Sequence, residues 1–98
     1  DFRDNHVGFY CPFITRACVD AVGFLDEQFK YGEWEDVDYC IRAQDSGFKI
    51  GVVDKVICEH KESVTLKKMS DEMIKEKEKN IQRFKTKYKG TQWEHQWR

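Results

Sequence analysis

The chain has 98 residues, of which 40% are hydrophobic and 14% aromatic, with six glycines and one proline; this composition fits one small domain with a thin core and excludes collagen-like and disordered classes. Residues 1–60 carry twelve acidic and six basic side chains, whereas residues 61–90 carry five acidic and ten basic ones. The acidic first part argues against nucleic-acid binding, and the basic segment is typical of a solvated helix face or of peripheral contact with a membrane.

The N-terminal third predicts a strand followed by a short helix. Residues 7–14 are rich in aromatic and β-favouring side chains, and Pro12 assigns this strand to a sheet edge or a bulge. Thr15 suits the N-cap of a helix over 16–22, which the following glycine would end. Residues 28–35 predict an exposed loop whose aromatic and acidic composition indicates function.

The rest of the chain predicts two helices separated by two strands. A helix is expected over 36–46, followed by strands over 48–53 and 56–59. A long helix follows over 70–88, with a serine as its N-cap and one apolar stripe.

Together these elements predict an α/β fold in which residues 1–98 form a single domain. The expected architecture is a small, partly antiparallel sheet with flanking helices. A sheet this short leaves a bare edge, and bare edges pair with other chains. We therefore expect a homo-oligomer.

Four cysteines lie at positions 11, 18, 40 and 58, without the CxxC spacing of common metal and redox sites. Each lies in an apolar or periodic context, which predicts reduced thiols in a core and a cytoplasmic protein. The alternative is a small zinc-binding domain that uses these cysteines and His60, although their spacing is irregular for zinc.

The densest group of reactive side chains lies in segment 32–39. Favourable interaction with the helix dipole accounts for Glu35 and Asp36 in a first turn without any further role. Trp34 beside them suits sugar binding, because a flat ring stacks on a sugar while carboxylates accept hydroxyl hydrogen bonds. Asp36 and Asp38 also form a DxD, but positions two apart on a helix point to nearly opposite sides and do not share a cation.

Spaced motifs over residues 7–85 resemble the C-terminal half of family 2 glycosyltransferases, which have the GT-A fold. They are the Gly-Phe-Leu-Asp-Glu turn at 23–27, the Gly-Glu-Trp-Glu-Asp segment that begins at 32, the Gly-Phe-Lys-Ile strand at 47–50, and the later His60. The turn has one glycine where the family usually has two. The nucleotide-binding half of the family, with its own DxD metal motif, does not lie within these residues. The resemblance therefore implies the C-terminal part of a GT-A fold.

The activity that this resemblance implies is inverting transfer of a sugar from a nucleotide-diphosphate sugar to an acceptor hydroxyl of a carbohydrate. Asp36 would be the general base, and Glu35 would bind acceptor hydroxyls or orient the base. Trp34 and Glu33 would bind the acceptor sugar. His60 would be a ligand of a divalent metal, Mn or Mg, or a contact of the diphosphate in the intact enzyme, and this chain by itself would bind no metal.

Two further expectations belong with the resemblance. Arg42 should pair with an acid such as Asp38 or Asp26 rather than touch substrate. The alternative to an enzyme is a non-catalytic module, derived from such a fold, that binds a sugar or a partner chain.

Overall fold

The computed structural model describes residues 2–3, 8–9, 11–30, 32–53 and 70–94. Helices are the main regular structure among these residues, and the elements in chain order are β1 (Phe2–Arg3), α1 (Arg16–Val22), α2 (Glu35–Asp45), β2 (Ile50–Gly51) and α3 (Asp71–Lys87). None of the helices in these ranges is long and apolar enough to cross a membrane.

Side-chain caps fix where α1 and α3 begin. The Thr15 hydroxyl accepts a hydrogen bond from the Cys18 amide at 3.2 Å, and the Ser70 hydroxyl accepts one from the Met73 amide at 3.3 Å. Each bond satisfies an amide that has no partner inside its own helix. All three predicted helices are confirmed to within one residue at both ends.

The predicted α/β fold class is wrong, because helices are the main regular structure among the described residues. The described part of segment 7–14 contains no strand. Within 48–53, only the two residues of β2 form a strand, and they pair antiparallel with β1. The strand predicted over 56–59 lies outside the described residues. A helical arrangement thus replaces the small antiparallel sheet of the expected C-terminal part of a GT-A fold.

The apolar residues of the first predicted strand pack against helices instead. Phe9 and Ile14 cover a cluster of buried residues on α1 and α2. Pro12 has no amide hydrogen for a strand ladder, and the Phe13 side chain is 91% exposed. Aromatic and branched residues favour strands only where they fit a pleated, half-buried surface, and here packing on helices overrides that preference.

Helix α2 lies between the other two helices and is buried on two sides. Toward α3, the core consists of Phe29, Val37, Ile41, Phe84 and Tyr88, and partly buried Trp34 and Trp93 pack against it. Toward α1, it consists of Cys18, Tyr39 and Ala43. This central position makes α2 the element on which the other helices are assembled.

Polar contacts attach the end of α1 to α2. The Tyr39 hydroxyl donates to the Gly23 carbonyl at 3.0 Å, and Arg42 Nη1 donates to the Val22 carbonyl at 3.4 Å. These carbonyls lie at a helix C-terminus, where the backbone leaves them without intrahelical partners. The contacts therefore satisfy the end of α1 and fix its distance from α2.

The cysteines only partly follow the prediction of buried thiols. Cys18 and Cys40 are buried, whereas Cys11 is exposed, and none of the three forms a disulfide. Cys58 lies outside the described residues. The prediction of a core position is therefore wrong for Cys11.

Phe84→Ala should lower the free energy of unfolding by about 3–5 kcal/mol, because it leaves a cavity where a fully buried ring joins α2 to α3. The matched control Phe13→Ala should change it by less than about 0.5 kcal/mol, because that ring is exposed. Urea denaturation followed by circular dichroism measures both values. Equal losses in the two variants would contradict the assigned core.

Candidate functional site

The chain enters α2 through three consecutive residues with positive φ, which we call the entry loop. Gly32, Glu33 and Trp34 have φ values of 84°, 65° and 71°. Glycine adopts this left-handed region freely, but a residue with a Cβ is disfavoured there by about 1–2 kcal/mol. Such a conformation persists only where the surrounding structure fixes the backbone, and it concentrates at functional sites.

The Asn80 side chain, which projects from α3 and is fully buried, contacts the entry loop and the residue two positions before it. Its Nδ2 donates to the carbonyls of Lys30 and Gly32, both at 2.8 Å. A longer bond of 3.3 Å reaches the Glu33 carbonyl. Its Oδ1 accepts hydrogen bonds from the Lys30 amide at 3.1 Å and from Arg83 Nη1 at 2.8 Å. One side chain of α3 therefore satisfies much of the loop backbone.

Ion pairs lie on either side of Asn80 along α3. Lys77 Nζ lies 3.1 Å from a carboxylate oxygen of Glu33, and Arg83 Nη2 lies 2.6 Å from one of Glu76. The Arg83 hydrogen bond holds the pKa of Glu76 below its usual range. Ion pairs near the surface add little to the free energy of unfolding. These two pairs instead help to orient Asn80 and the entry loop.

Trp34 is the N-cap residue of α2, and its side chain makes no capping hydrogen bond. Its ring packs on Phe84, with ring centroids 4.8 Å apart and planes inclined by 40°. The ring is partly buried, whereas the sequence predicts an exposed tryptophan. Contact with Phe84 therefore fixes the position of the Trp34 side chain at the end of the entry loop.

Glu35 and Asp36 form the first turn of α2 and differ in their surroundings. Asp36 Oδ1 accepts a hydrogen bond from the Val37 amide at 2.8 Å. Glu35 is partly buried, and its Oε2 is buried without a hydrogen-bond partner among the described residues. Burial raises the pKa of Glu35, and the carboxylates of Asp36 and Glu33 raise it further. The turn therefore combines a carboxylate that accepts the next amide in the chain with one that has an oxygen without a donor among the described residues.

Asp38 is fully buried and belongs to a separate charge cluster. Arg42 Nε lies 3.0 Å from its Oδ2, which confirms the predicted pairing, and Lys87 Nζ lies 2.7 Å from its Oδ1. The Tyr88 hydroxyl also donates to this carboxylate, and burial together with that bond raises the pKa of Tyr88. Asp38 is thus occupied by α2 and α3 side chains and does not act with Asp36 on one cation.

Lys87 also connects α3 to the turn before the entry loop. Its Nζ lies 2.7 Å from Asp26 Oδ2, while the Gln28 backbone and side-chain amides donate to the same carboxylate. Burial alone would raise the pKa of Asp26, but the hydrogen bonds from Lys87 and Gln28 outweigh burial and lower it to about 2. Lys87 therefore bridges two carboxylates from different parts of the chain.

A metal centre finds no support in the part of the chain that the structure describes. There, no group of three or more His, Cys, Asp or Glu side chains could hold an ion. The predicted ligand His60 lies outside the described residues. The described residues therefore provide no set of ligands for a divalent cation.

The structure keeps the predicted residues Glu33, Trp34, Glu35 and Asp36 together at the start of α2. Sequence reasoning missed the role of Asn80, which lies far along the chain. The signal was its position within the apolar stripe of α3, where a buried amide needs hydrogen-bond partners.

Comparisons of the chain with protein-family models, with curated protein sequences and with solved structures found no match.

Asp38→Asn should lower the free energy of unfolding by about 3 kcal/mol, because it removes the buried charge that pairs with a half-buried arginine and a half-buried lysine. Asp20→Asn is the matched control, since Asp20 forms the same i,i+4 pair with Arg16 at the surface. Its cost should stay below about 1 kcal/mol. Urea denaturation at neutral pH compares them, and similar losses would contradict the buried network.

Stability should also fall in acid through Asp26. Its pKa is depressed in the folded state, so its contribution is complete above the unfolded pKa and is lost as the pH falls through the folded value. Between about pH 4 and pH 2, the wild type should lose about 2 kcal/mol more unfolding free energy than Asp26→Asn. Parallel stability profiles for the two proteins would refute the Lys87–Asp26 contact.

Proposed function

We propose that this chain is the acceptor-binding and catalytic-base segment of an inverting glycosyltransferase. Its substrates are a nucleotide-diphosphate sugar and a carbohydrate acceptor. The motif resemblance supplies the reaction class, and the first turn of α2 supplies the chemistry.

The observation that carries the proposal is the Glu35 carboxyl group. Its Oε2 is buried without a hydrogen-bond donor among the described residues, and its pKa is raised. A carboxylate in this condition gains from a hydroxyl donor, because a hydrogen bond to the charged form stabilises that form. The residue as a whole is only partly buried, so a rotation of its carboxyl group would bring this oxygen to a ligand at the surface. An acceptor sugar would provide the donor.

Asp36 is the general base of the proposed reaction. It removes the proton of the acceptor hydroxyl while that oxygen forms a bond to the anomeric carbon of the donor sugar. The bond from the anomeric carbon to the diphosphate oxygen breaks on the opposite face, and the nucleoside diphosphate takes the electron pair. Configuration therefore inverts. A positioned base of this kind contributes roughly 10²–10⁴ in rate.

Trp34 and Glu33 form the sugar-binding surface beside the acids. The Trp34 ring is fixed by its contact with Phe84, and a rigid indole offers an apolar face to sugar C–H groups at little entropic cost. The Glu33 side chain is 58% exposed beside Lys77, where its carboxylate can accept hydroxyl hydrogen bonds.

The donor side of the reaction requires residues outside the described ones. The family's nucleotide-binding half is not in this sequence, and a divalent cation with His60 would belong to that side. We therefore expect no transfer by the 98 residues alone. Cys11, Cys18 and Cys40 form no disulfide, which fits a reducing, cytoplasmic setting.

Titration of the ¹⁵N-labelled chain with methyl glycosides tests acceptor binding. Saturable shifts should appear at the Trp34 indole and at the amides of residues 33–36. Glu35→Gln should weaken binding by about tenfold, because hydrogen bonds to charged groups contribute about 1.5–3 kcal/mol. The control is Glu27→Gln, which changes an exposed acid outside the site and should leave binding unchanged. Absence of saturable shifts with any glycoside would contradict the proposal.

Turnover tests the catalytic role in a polypeptide that contains these residues together with a nucleotide-binding half. Asp36→Asn keeps the size of the side chain but cannot take a proton, so the transfer rate should fall by ~10²-fold or more with donor binding unchanged. Unaltered turnover would remove Asp36 as the base. Glycoside binding with unaltered turnover in both acid variants would favour the non-catalytic binding module.

A further inference from the structure

The entry loop adopts a conformation that its own sequence does not favour. Of its three left-handed residues, only Gly32 lacks a Cβ. Glu33 and Trp34 each tend to return to negative φ, where the carbonyl and Cβ no longer crowd. A return by either residue would turn the first helical turn, with Glu35 and Asp36, away from its observed direction.

Asn80 supplies the opposing interaction. Its amide nitrogen points at three carbonyls, two at 2.8 Å and one at 3.3 Å, and all belong to Lys30 or the entry loop. Because the Asn80 side chain is fully buried, water cannot replace the carbonyls it donates to, and leaving its amide unsatisfied is costly. The loop loses these bonds if it relaxes.

The bonds of Asn80 are not needed to attach α3 to α2. That attachment is made by the Phe84 ring in the core and by Lys87 and Tyr88 at the Asp38 carboxylate. Among the described residues, Asn80 hydrogen-bonds instead to Arg83 and to loop backbone on the side of the candidate site.

We infer that Asn80 is a positioning residue of the acceptor site, which keeps the entry loop left-handed and so presents Glu35 and Asp36 together at the start of α2. The inference deepens the proposed function and rests on it, since only chemistry at these acids gives the loop conformation a catalytic consequence. Asn80 acts through the backbone and touches neither substrate.

Glycine and alanine at position 33 test whether Asn80 maintains the strain. Glu33→Gly and Glu33→Ala both remove the pair with Lys77, but only alanine retains a Cβ. In the wild-type background, Glu33→Gly should have the higher urea midpoint, by about 0.5 M. In the Asn80→Ala background the loop relaxes, so this difference should vanish. A persistent difference, or none in the wild type, would overturn the inference.

Asn80→Ser, whose hydroxyl donates a single hydrogen bond, replaces Asn80→Ala in this comparison if the alanine variant does not fold. The comparison with Asn80 unchanged is decisive by itself. If Glu33→Gly and Glu33→Ala are equally stable there, the loop is not strained.

The second readout is the pKa of Glu35, measured by carboxyl ¹³C NMR. It should fall toward its ordinary value in Asn80→Ala, because the relaxed loop exposes the carboxyl group. Tyr88→Phe is the control, since it removes only the hydroxyl bond to Asp38 and keeps the ring in the core and the Lys87–Asp38 pair that hold α3 in place, and it should leave the Glu35 pKa unchanged. An unaltered Glu35 pKa in Asn80→Ala, or an equal fall in Tyr88→Phe, would reduce Asn80 to a structural residue.

These measurements contain no sugar, so they fail independently of the proposed function. If the midpoint difference between glycine and alanine at position 33 disappears in Asn80→Ala but no glycoside binds, Asn80 still maintains the loop and the proposed acceptor site is wrong. If glycosides bind but that midpoint difference is the same with and without Asn80, the acceptor site stands and the role of Asn80 is overturned.

Discussion

The rest of the structure depends on the interactions of one buried carboxylate, that of Asp38. It lies on α2, and it binds Arg42 of the same helix and Lys87 and Tyr88 at the end of α3. A buried carboxylate without such partners would be strongly unfavourable. Its requirement for positive charge and a hydroxyl donor therefore fixes where α3 lies along α2.

That register determines what the rest of α3 contacts. Phe84 and Asn80 lie one and two turns before Tyr88, so all three share a face of the helix. With Tyr88 fixed at Asp38, Phe84 enters the core and Asn80 reaches the entry loop. The same docking therefore satisfies the centre of α2 and sets the conformation of its first turn.

This arrangement gives neighbouring carboxyl groups at the start of α2 different surroundings. Three of the acidic residues around the helix N-terminus, at positions 33, 35 and 36, have different surroundings. Glu33 contacts Lys77, Asp36 accepts a hydrogen bond from a backbone amide, and Glu35 has an oxygen without a donor among the described residues. Placing unlike environments around neighbouring carboxyl groups is how proteins separate their pKa values and assign them different roles.

The helices and their caps could be predicted from the sequence because the signals are local. Thr15 and Ser70 precede apolar periodic segments, and the i,i+4 spacing of Asp38 and Arg42 predicts their pair. The predicted sheet is wrong because the aromatic residues around Phe9 favour a strand locally, whereas the residues that Phe9 packs against belong to helices.

The hydrogen bonds of the site could not be predicted in the same way. Asn80 and Lys30 lie fifty residues apart, and only the docked helix brings them together. Positive φ at Glu33 and Trp34 contradicts their local preference, so no sequence rule assigns it. The acids themselves were identifiable from their composition, whereas their different environments depend on long-range packing.

The backbone conformation of the entry loop in solution is the most direct test of this account. A left-handed residue has a short distance between its own amide and α protons, and therefore a strong intraresidue NOE. The account predicts strong intraresidue NOEs at both Glu33 and Trp34 in the wild-type chain. Weak NOEs of the kind given by negative φ at these two residues would contradict it.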